Sequence, residues 1–185
     1  KNIFVIKIKT EKMENQANSK SLIINFGIYL GIATVLISLI TYALGMHLDP
    51  HWSVSVISGI LFIGLIVFGI KKYKEINNGF LSWGQGVKIG VGIAIVAALI
   101  GTIYNYLFMS FIEPDFMNQA MEVANQKLLD QGQTQEQIEA INKMSSAFQS
   151  PFLLAAMGII GSAVFGFVVA AISAAIMKKS EEETY

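Results

Sequence analysis

Hydrophobic residues in this chain are concentrated in four long runs, which cover residues 21–44, 53–70, 87–112 and 151–177. The runs contain no acidic residue, and Lys88 is their only basic residue. A helix rises about 1.5 Å per residue and the hydrocarbon layer of a bilayer is about 30 Å thick, so roughly 20 apolar residues cross it. Strands of a transmembrane barrel would alternate in polarity instead. The pattern predicts an all-α, polytopic membrane protein with four transmembrane helices.

Small side chains recur along one face of the first and fourth runs. The first-run face comprises Gly27, Gly31, Thr34 and Ser38, and the fourth-run face comprises Gly158, Ser162, Gly166, Ala170 and Ala174. Lipid supplies no hydrophobic drive between helices, so faces of this kind mark close backbone approach. We expect the four helices to form a compact bundle. The fourth-run face would serve equally well between two protomers, as in a homo-oligomer.

The connection between the third and fourth runs, residues 113–150, is longer than a turn requires and has a helical pattern. One apolar stripe ends at Gly132, a capping-box sequence begins at Thr134, and a second stripe follows. The two stripes comprise Met117, Met121, Leu128, Ile138, Ile141 and Phe148. We predict an extracytoplasmic amphipathic helical hairpin between spans 3 and 4. Its methionine-rich face is the candidate for binding a partner, since such faces adapt to varied surfaces.

The distribution of lysines predicts the orientation of the chain. Lysines cluster before residue 21, around residues 71–88 and after residue 177, whereas the first connection, 45–52, has none. The positive-inside rule then places both termini and the second connection in the cytoplasm of a bacterium, with the hairpin on the outer face of its inner membrane. The predicted organisation is a cytoplasmic tail (1–20), a single membrane domain (21–178) and a second cytoplasmic tail (179–185).

The first run also bears on how the chain begins. It is too long for the apolar core of a cleaved signal peptide, so we expect it to remain as a signal anchor. Met13 reads like a natural start, and residues 1–12 are then either upstream sequence or a genuine part of the tail.

The sequence offers little catalytic chemistry. No Asp, Glu or His lies near the middle of a run, which argues against a proton-coupled pump, and the chain has no cysteine. Both histidines lie in the first connection with His47, Asp49 and His51 two residues apart, a set that could hold zinc or copper. This set is short of ligands, and capping of the adjacent span is the alternative interpretation. We predict no cofactor, and the lysines are explained by topology without nucleic-acid binding.

The second connection is rich in glycine, with Gly84, Gly86 and Gly90 in the spacing G-x-G-x-x-x-G. A dinucleotide fingerprint requires G-x-G-x-x-G directly after a strand, and a phosphate loop requires G-K-[ST]. Neither condition is met, so the segment predicts a turn followed by the start of an interfacial helix.

Several segments resemble the bacterial domain-of-unknown-function family 4199. They are residues 80–90 (FLSWGQGVKIG), residues 113–117 (EPDFM), Gly132 before a helix rich in Gln and Glu, and the closing Ser-Pro and Lys-Lys pairs. The resemblance covers about residues 20–180. It implies a four-span bacterial inner-membrane protein without assigned activity, and it implies no catalytic or binding residue.

Two functional hypotheses remain at the level of the sequence. The first is a non-enzymatic membrane anchor or interaction module whose outer hairpin contacts lipid, a second copy or another membrane protein. The alternative is a small oligomeric channel or facilitator lined by Thr34, Ser38 and Thr41 on the polar face of the first span.

Overall fold

The computed structural model describes residues 2–146 and 150–179, with side chains described from residue 19 onward. Within these residues the α-helices are α1 (Asn2–Ala43), α2 (Trp52–Ile76), α3 (Trp83–Leu107), α4 (Phe116–Asp130), α5 (Gln135–Ser146) and α6 (Pro151–Met177). A π-helical segment, Phe108–Ile112, continues α3. Four helices are long and apolar enough to cross a membrane: α1 from Ser19, α2, α3 with its π-helical extension, and α6. The predicted all-helical architecture with four spans is confirmed.

The observed helices differ in length from three of the four apolar runs. α1 begins at Asn2, within the segment interpreted as a tail, because no Gly or Pro interrupts the chain before Gly27. α2 continues beyond residue 70 through Lys72 and Glu75, whose side chains form an exposed ion pair of 3.1 Å. α3 begins four residues before its apolar run, whereas α6 has the limits of the fourth run.

Helix α3 is the centre of the bundle, since α1, α2 and α6 all pack against it. The contact with α1 has a parallel register. Gly27 lies against Val96 and Gly31 lies against Ile100, four residues further along both helices. A Cβ atom on Gly27 would lie 2.5 Å from the Cβ of Val96, so a larger residue could not be accommodated without a shift. Glycine therefore sets the distance between α1 and α3.

The contact between α3 and α6 has an antiparallel register, and we refer to it as the α3–α6 seam. Its paired positions are Gly86 with Ala174, Gly90 with Ala170, and Ala94 with Gly166. A Cβ atom on Gly86 or Gly166 would lie 2.5 Å from the Cβ of the facing alanine. The Ser162 hydroxyl then donates a hydrogen bond of 3.1 Å to the Ala94 carbonyl. Small side chains thus allow the two backbones to approach closely along three successive turns.

The bundle has two ends, which we name after a residue at each. The Leu81 end carries the α2–α3 connection and residues 178–179, and the His47 end carries the α1–α2 connection and α4. The fully buried side chains belong to residues of the Leu81 half and the middle of the bundle: Leu30, Ile66, Ile70, Leu81, Ile89 and Ile93. Packing is therefore denser toward the Leu81 end.

The α2–α3 connection is a turn that also holds the end of α6. Asn78 and Gly79 adopt positive φ angles of 55° and 83°, which glycine and asparagine tolerate best. Ser82 and Gln85 then form a capping box that starts α3. Leu81 exchanges two backbone hydrogen bonds, of 3.0 and 2.9 Å, with Lys179. The predicted turn and helix start are present, and this segment joins α3 to α6.

Candidate functional site at the His47 end

The α3–α6 seam opens into a groove toward the His47 end. Gly158 continues the four-residue spacing of the seam beyond Ser162, yet among the described residues no atom lies within 4 Å of a Cβ placed on it. Gly101 on α3 and Gly161 on α6 are open in the same way. The space between the two helices is a cavity of about 880 Å³. We call it the α3–α6 groove.

The groove has apolar walls with a few uncharged polar groups. Its lining includes Thr102, Asn105, Ser110, Met117, Leu154 and Gly158. The Asn105 side chain is exposed and makes no hydrogen bond to the part of the chain that the structure describes. No Asp, Glu, Lys or His is among the lining residues. This chemistry suits a molecule that is mainly apolar and carries an uncharged polar group.

Beside the groove, an aromatic cluster surrounds His47. The His47 ring stacks on Phe116 with centroids 6.2 Å apart and meets Tyr42 edge-on at 4.9 Å. Phe108 contacts Tyr42 and Phe116 at 5.1 and 5.7 Å. His47 Nε2 lies 2.9 Å from Oε2 of Glu113, which is ion-pair distance, although the angle is not that of a hydrogen bond. We call these five residues the His47 cluster.

Local backbone geometry assembles the His47 cluster from three separate elements. α1 ends at Gly45, whose φ of 67° reverses the chain and returns His47 to Tyr42. The π-helical segment follows α3, and the Glu113 amide donates to the Phe108 carbonyl at its end. This places Phe108, Glu113 and Phe116 on the side that faces His47. α4 is thereby attached to both α1 and α3.

The structure separates the three residues considered for metal binding. His47 pairs with Glu113, and Asp49 forms an ion pair with Lys127 of α4. The Nδ1 atom of His51 contacts the Ser53 hydroxyl at 2.9 Å and caps α2. No group of three or more His, Asp or Glu side chains suited to a metal occurs among the described residues. The metal hypothesis is therefore not supported, because each side chain meets a different partner, and the capping alternative fits His51.

The apolar stripes of the α4–α5 segment are less accessible than expected for a binding face. Ile138 is buried at 3% exposure, and Met117 lines the α3–α6 groove. Met121, Leu128 and Ile141 are half-buried, and Phe148 lies outside the described residues. The exposed apolar side chains of the segment are instead Leu129, at 41%, and Met144, at 68%. The predicted stripe is used partly within the chain.

The polar residues of the first span make local hydrogen bonds. The hydroxyls of Thr34 and Thr41 each donate 2.8 Å hydrogen bonds to carbonyls one turn earlier, on Gly31 and Ser38. None of Thr34, Ser38 and Thr41 lines the α3–α6 groove. These hydroxyls are satisfied by the helix itself, so no observation favours the channel hypothesis.

Sequence reasoning missed Tyr42, Phe108, Glu113 and Phe116 as members of a common cluster. Aromatic residues near span ends are typical interfacial anchors, and that pattern gave no reason to pair them with His47. The π-helical segment carries no sequence signal of its own. The one usable signal was the pairing of a lone histidine with Glu113 at the ends of neighbouring connections.

A family model described as "Protein of unknown function (DUF4199)" matches residues 25–179 of the chain. No curated protein and no solved structure matches it.

Proposed function

The chain belongs to the DUF4199 family of proteins of unknown function, and from this premise we propose that it is a non-enzymatic integral membrane protein that presents α4 and α5 as an interaction module. In this proposal the four spans cross the inner membrane of a bacterium, both termini are cytoplasmic, and α4–α5 is an extracytoplasmic hairpin. The lysine distribution supports this orientation.

The attachment of α4 to the bundle is the observation that carries the proposal. Glu113 and Phe116 contact His47, and Lys127 pairs with Asp49. These contacts lie at the start of α4 and near its end, so they fix the direction of the helix. A helix that is held in this way presents its outer surface at little entropic cost on binding.

The partner expected on this surface is another membrane protein or a second copy of the chain. Met144 at 68% exposure and Leu129 at 41% provide apolar contact on a segment that is otherwise polar and acidic. Exposed apolar residues rimmed by polar ones are typical of interaction sites. His47 and Glu113, which could serve as acid or base, contact each other and aromatic rings, and this supports a binding role without catalysis.

Site-specific photo-crosslinking tests the interaction role. A photoreactive amino acid at Met144 should capture one defined neighbour in native membranes, because that side chain projects from α5. The same amino acid at Glu139, which is exposed but charged, is the matched control and should give little product. If both positions yield uncrosslinked monomer alone, the proposal of an interaction module is wrong.

A further inference from the structure

The glycines of the four spans differ in packing between the two ends of the bundle. Gly86, Gly90 and Gly166 toward the Leu81 end each lie against a neighbouring helix. Toward the His47 end, Gly101 and Gly158 face open space within the described structure. Glycine is unfavourable in a helix by about 1 kcal/mol relative to alanine unless close approach requires it. Gly158 has no such protein neighbour, which leaves the groove beside it free for another molecule.

The position of the α3–α6 groove exposes it to the outer part of a bilayer leaflet. Its walls are the last turns of α3 with the π-helical segment and the first turns of α6. Gly158 lies seven residues from Pro151, so the groove extends about 10 Å along the helix axis. In a spanning helix this depth runs from the acyl chains to the glycerol region. Lipid is therefore the molecule present at highest concentration beside the groove.

The lining indicates which lipid chemistry fits. Leu154 and Gly158 form apolar wall deep in the groove, whereas Asn105 and Ser110 offer donors and acceptors without charge. A phosphate would need a basic partner, and Lys127, the lysine of α4, is paired with Asp49. The volume of about 880 Å³ lies within the roughly 300–1,000 Å³ that small-molecule sites occupy. The groove favours an acyl chain beneath a hydroxyl headgroup.

We propose that the α3–α6 groove binds an uncharged amphiphile of the diacylglycerol class, with an acyl chain against Leu154 and Gly158 and the hydroxyl headgroup near Asn105. Met117 of α4 completes the wall, and a flexible thioether can adjust to chains of different length. This inference goes beyond the interaction role of α4–α5 and does not require a protein partner.

The test uses the full chain in nanodiscs and a diacylglycerol that carries a diazirine in one acyl chain. Phosphatidylglycerol with the same diazirine serves as the charged comparison. We expect diacylglycerol to label peptides within residues 102–110 and 151–158, and excess unlabelled dioleoylglycerol to suppress this labelling. Equal labelling by both lipids, without suppression, would show adventitious boundary lipid only and overturn the proposal.

Two glycines of α6 provide a matched pair of variants. Gly158→Leu places a side chain in the groove, whereas Gly161→Leu adds the same side chain at an open position that does not line it. Groove labelling should fall about tenfold in Gly158→Leu and remain in Gly161→Leu. Asn105→Leu, at an exposed side chain, should lower diacylglycerol labelling about fivefold through loss of a hydrogen bond. Unchanged labelling in Gly158→Leu and Asn105→Leu would contradict the proposal.

Discussion

At the scale of single residues, Gly90 shows how closely two spans can approach when one side chain is absent. A Cβ on Gly90 would collide with the Cβ of Ala170 and lie 3.0 Å from a methyl carbon of Ile66. Both neighbours belong to the buried part of the bundle, so neither can move into open space. Lipid gives no compensating hydrophobic term between helices, and the loss of contact would not be recovered elsewhere.

Replacing Gly90 by alanine should therefore destabilise the protein by about 1–3 kcal/mol, the range for overpacking of a well-packed core. Gly101→Ala is the control on the same helix, because no atom within the described residues lies near its added methyl group. That control should be neutral or slightly stabilising, by up to about 1 kcal/mol of helix propensity. Unfolding of both variants in a titration with denaturing detergent measures the difference, and equal midpoints would refute the close approach at Gly90.

At the scale of elements, the attachment of α4 depends on two contacts of unequal strength. The Lys127–Asp49 pair is exposed, at 51% and 63% of the two side chains, and such pairs contribute at most about 1 kcal/mol. The His47–Glu113 contact is largely covered, at 17% and 14%, and aromatic rings surround it. Loss of one partner there leaves a shielded polar group without its counterpart, which is the more costly change.

We predict that Glu113→Ala loosens α4 more than Lys127→Ala does. Amides of residues 116–130 should exchange with deuterium about tenfold faster in Glu113→Ala, whereas Lys127→Ala should change their exchange only slightly. Hydrogen-exchange mass spectrometry of the two variants and the parent makes the comparison. Exchange in α3 at residues 86–97 is the internal reference, since that part of the helix packs away from the His47 cluster. A larger effect of Lys127→Ala would reverse the ranking of the two contacts.

At the scale of the whole molecule, the architecture could be predicted from sequence because it follows from the solvent. A bilayer requires each crossing segment to satisfy its own backbone, so runs of the right length become helices. The capping sequences at Thr134 and Ser150 are formed for local reasons, since their side chains bond to amides three residues ahead. The small-residue faces were predictable as packing faces, and Gly166, Ala170 and Ala174 meet α3.

The candidate site could not be predicted, because it depends on where packing stops. Gly158 and Gly166 are equivalent in the sequence pattern, yet the first lines a groove and the second contacts Ala94. The divergence of α3 and α6 and the π-helical segment at Phe108 are tertiary results that no local spacing specifies. His47 likewise found Glu113, distant in sequence, instead of its neighbours Asp49 and His51.

The orientation of the whole molecule is the remaining prediction, and the absence of cysteine makes it directly measurable. Gln133→Cys lies in the α4–α5 turn, and Gly84→Cys lies at the exposed start of α3 at the opposite end. Lysines cluster around the α2–α3 connection and are absent from the α1–α2 connection, so the Leu81 end should be cytoplasmic. In intact spheroplasts an impermeant maleimide should then modify Gln133→Cys and spare Gly84→Cys until lysis. The reverse labelling would place α4 and α5 in the cytoplasm and remove the basis for an extracytoplasmic interaction module, while leaving the packing of the bundle unchanged.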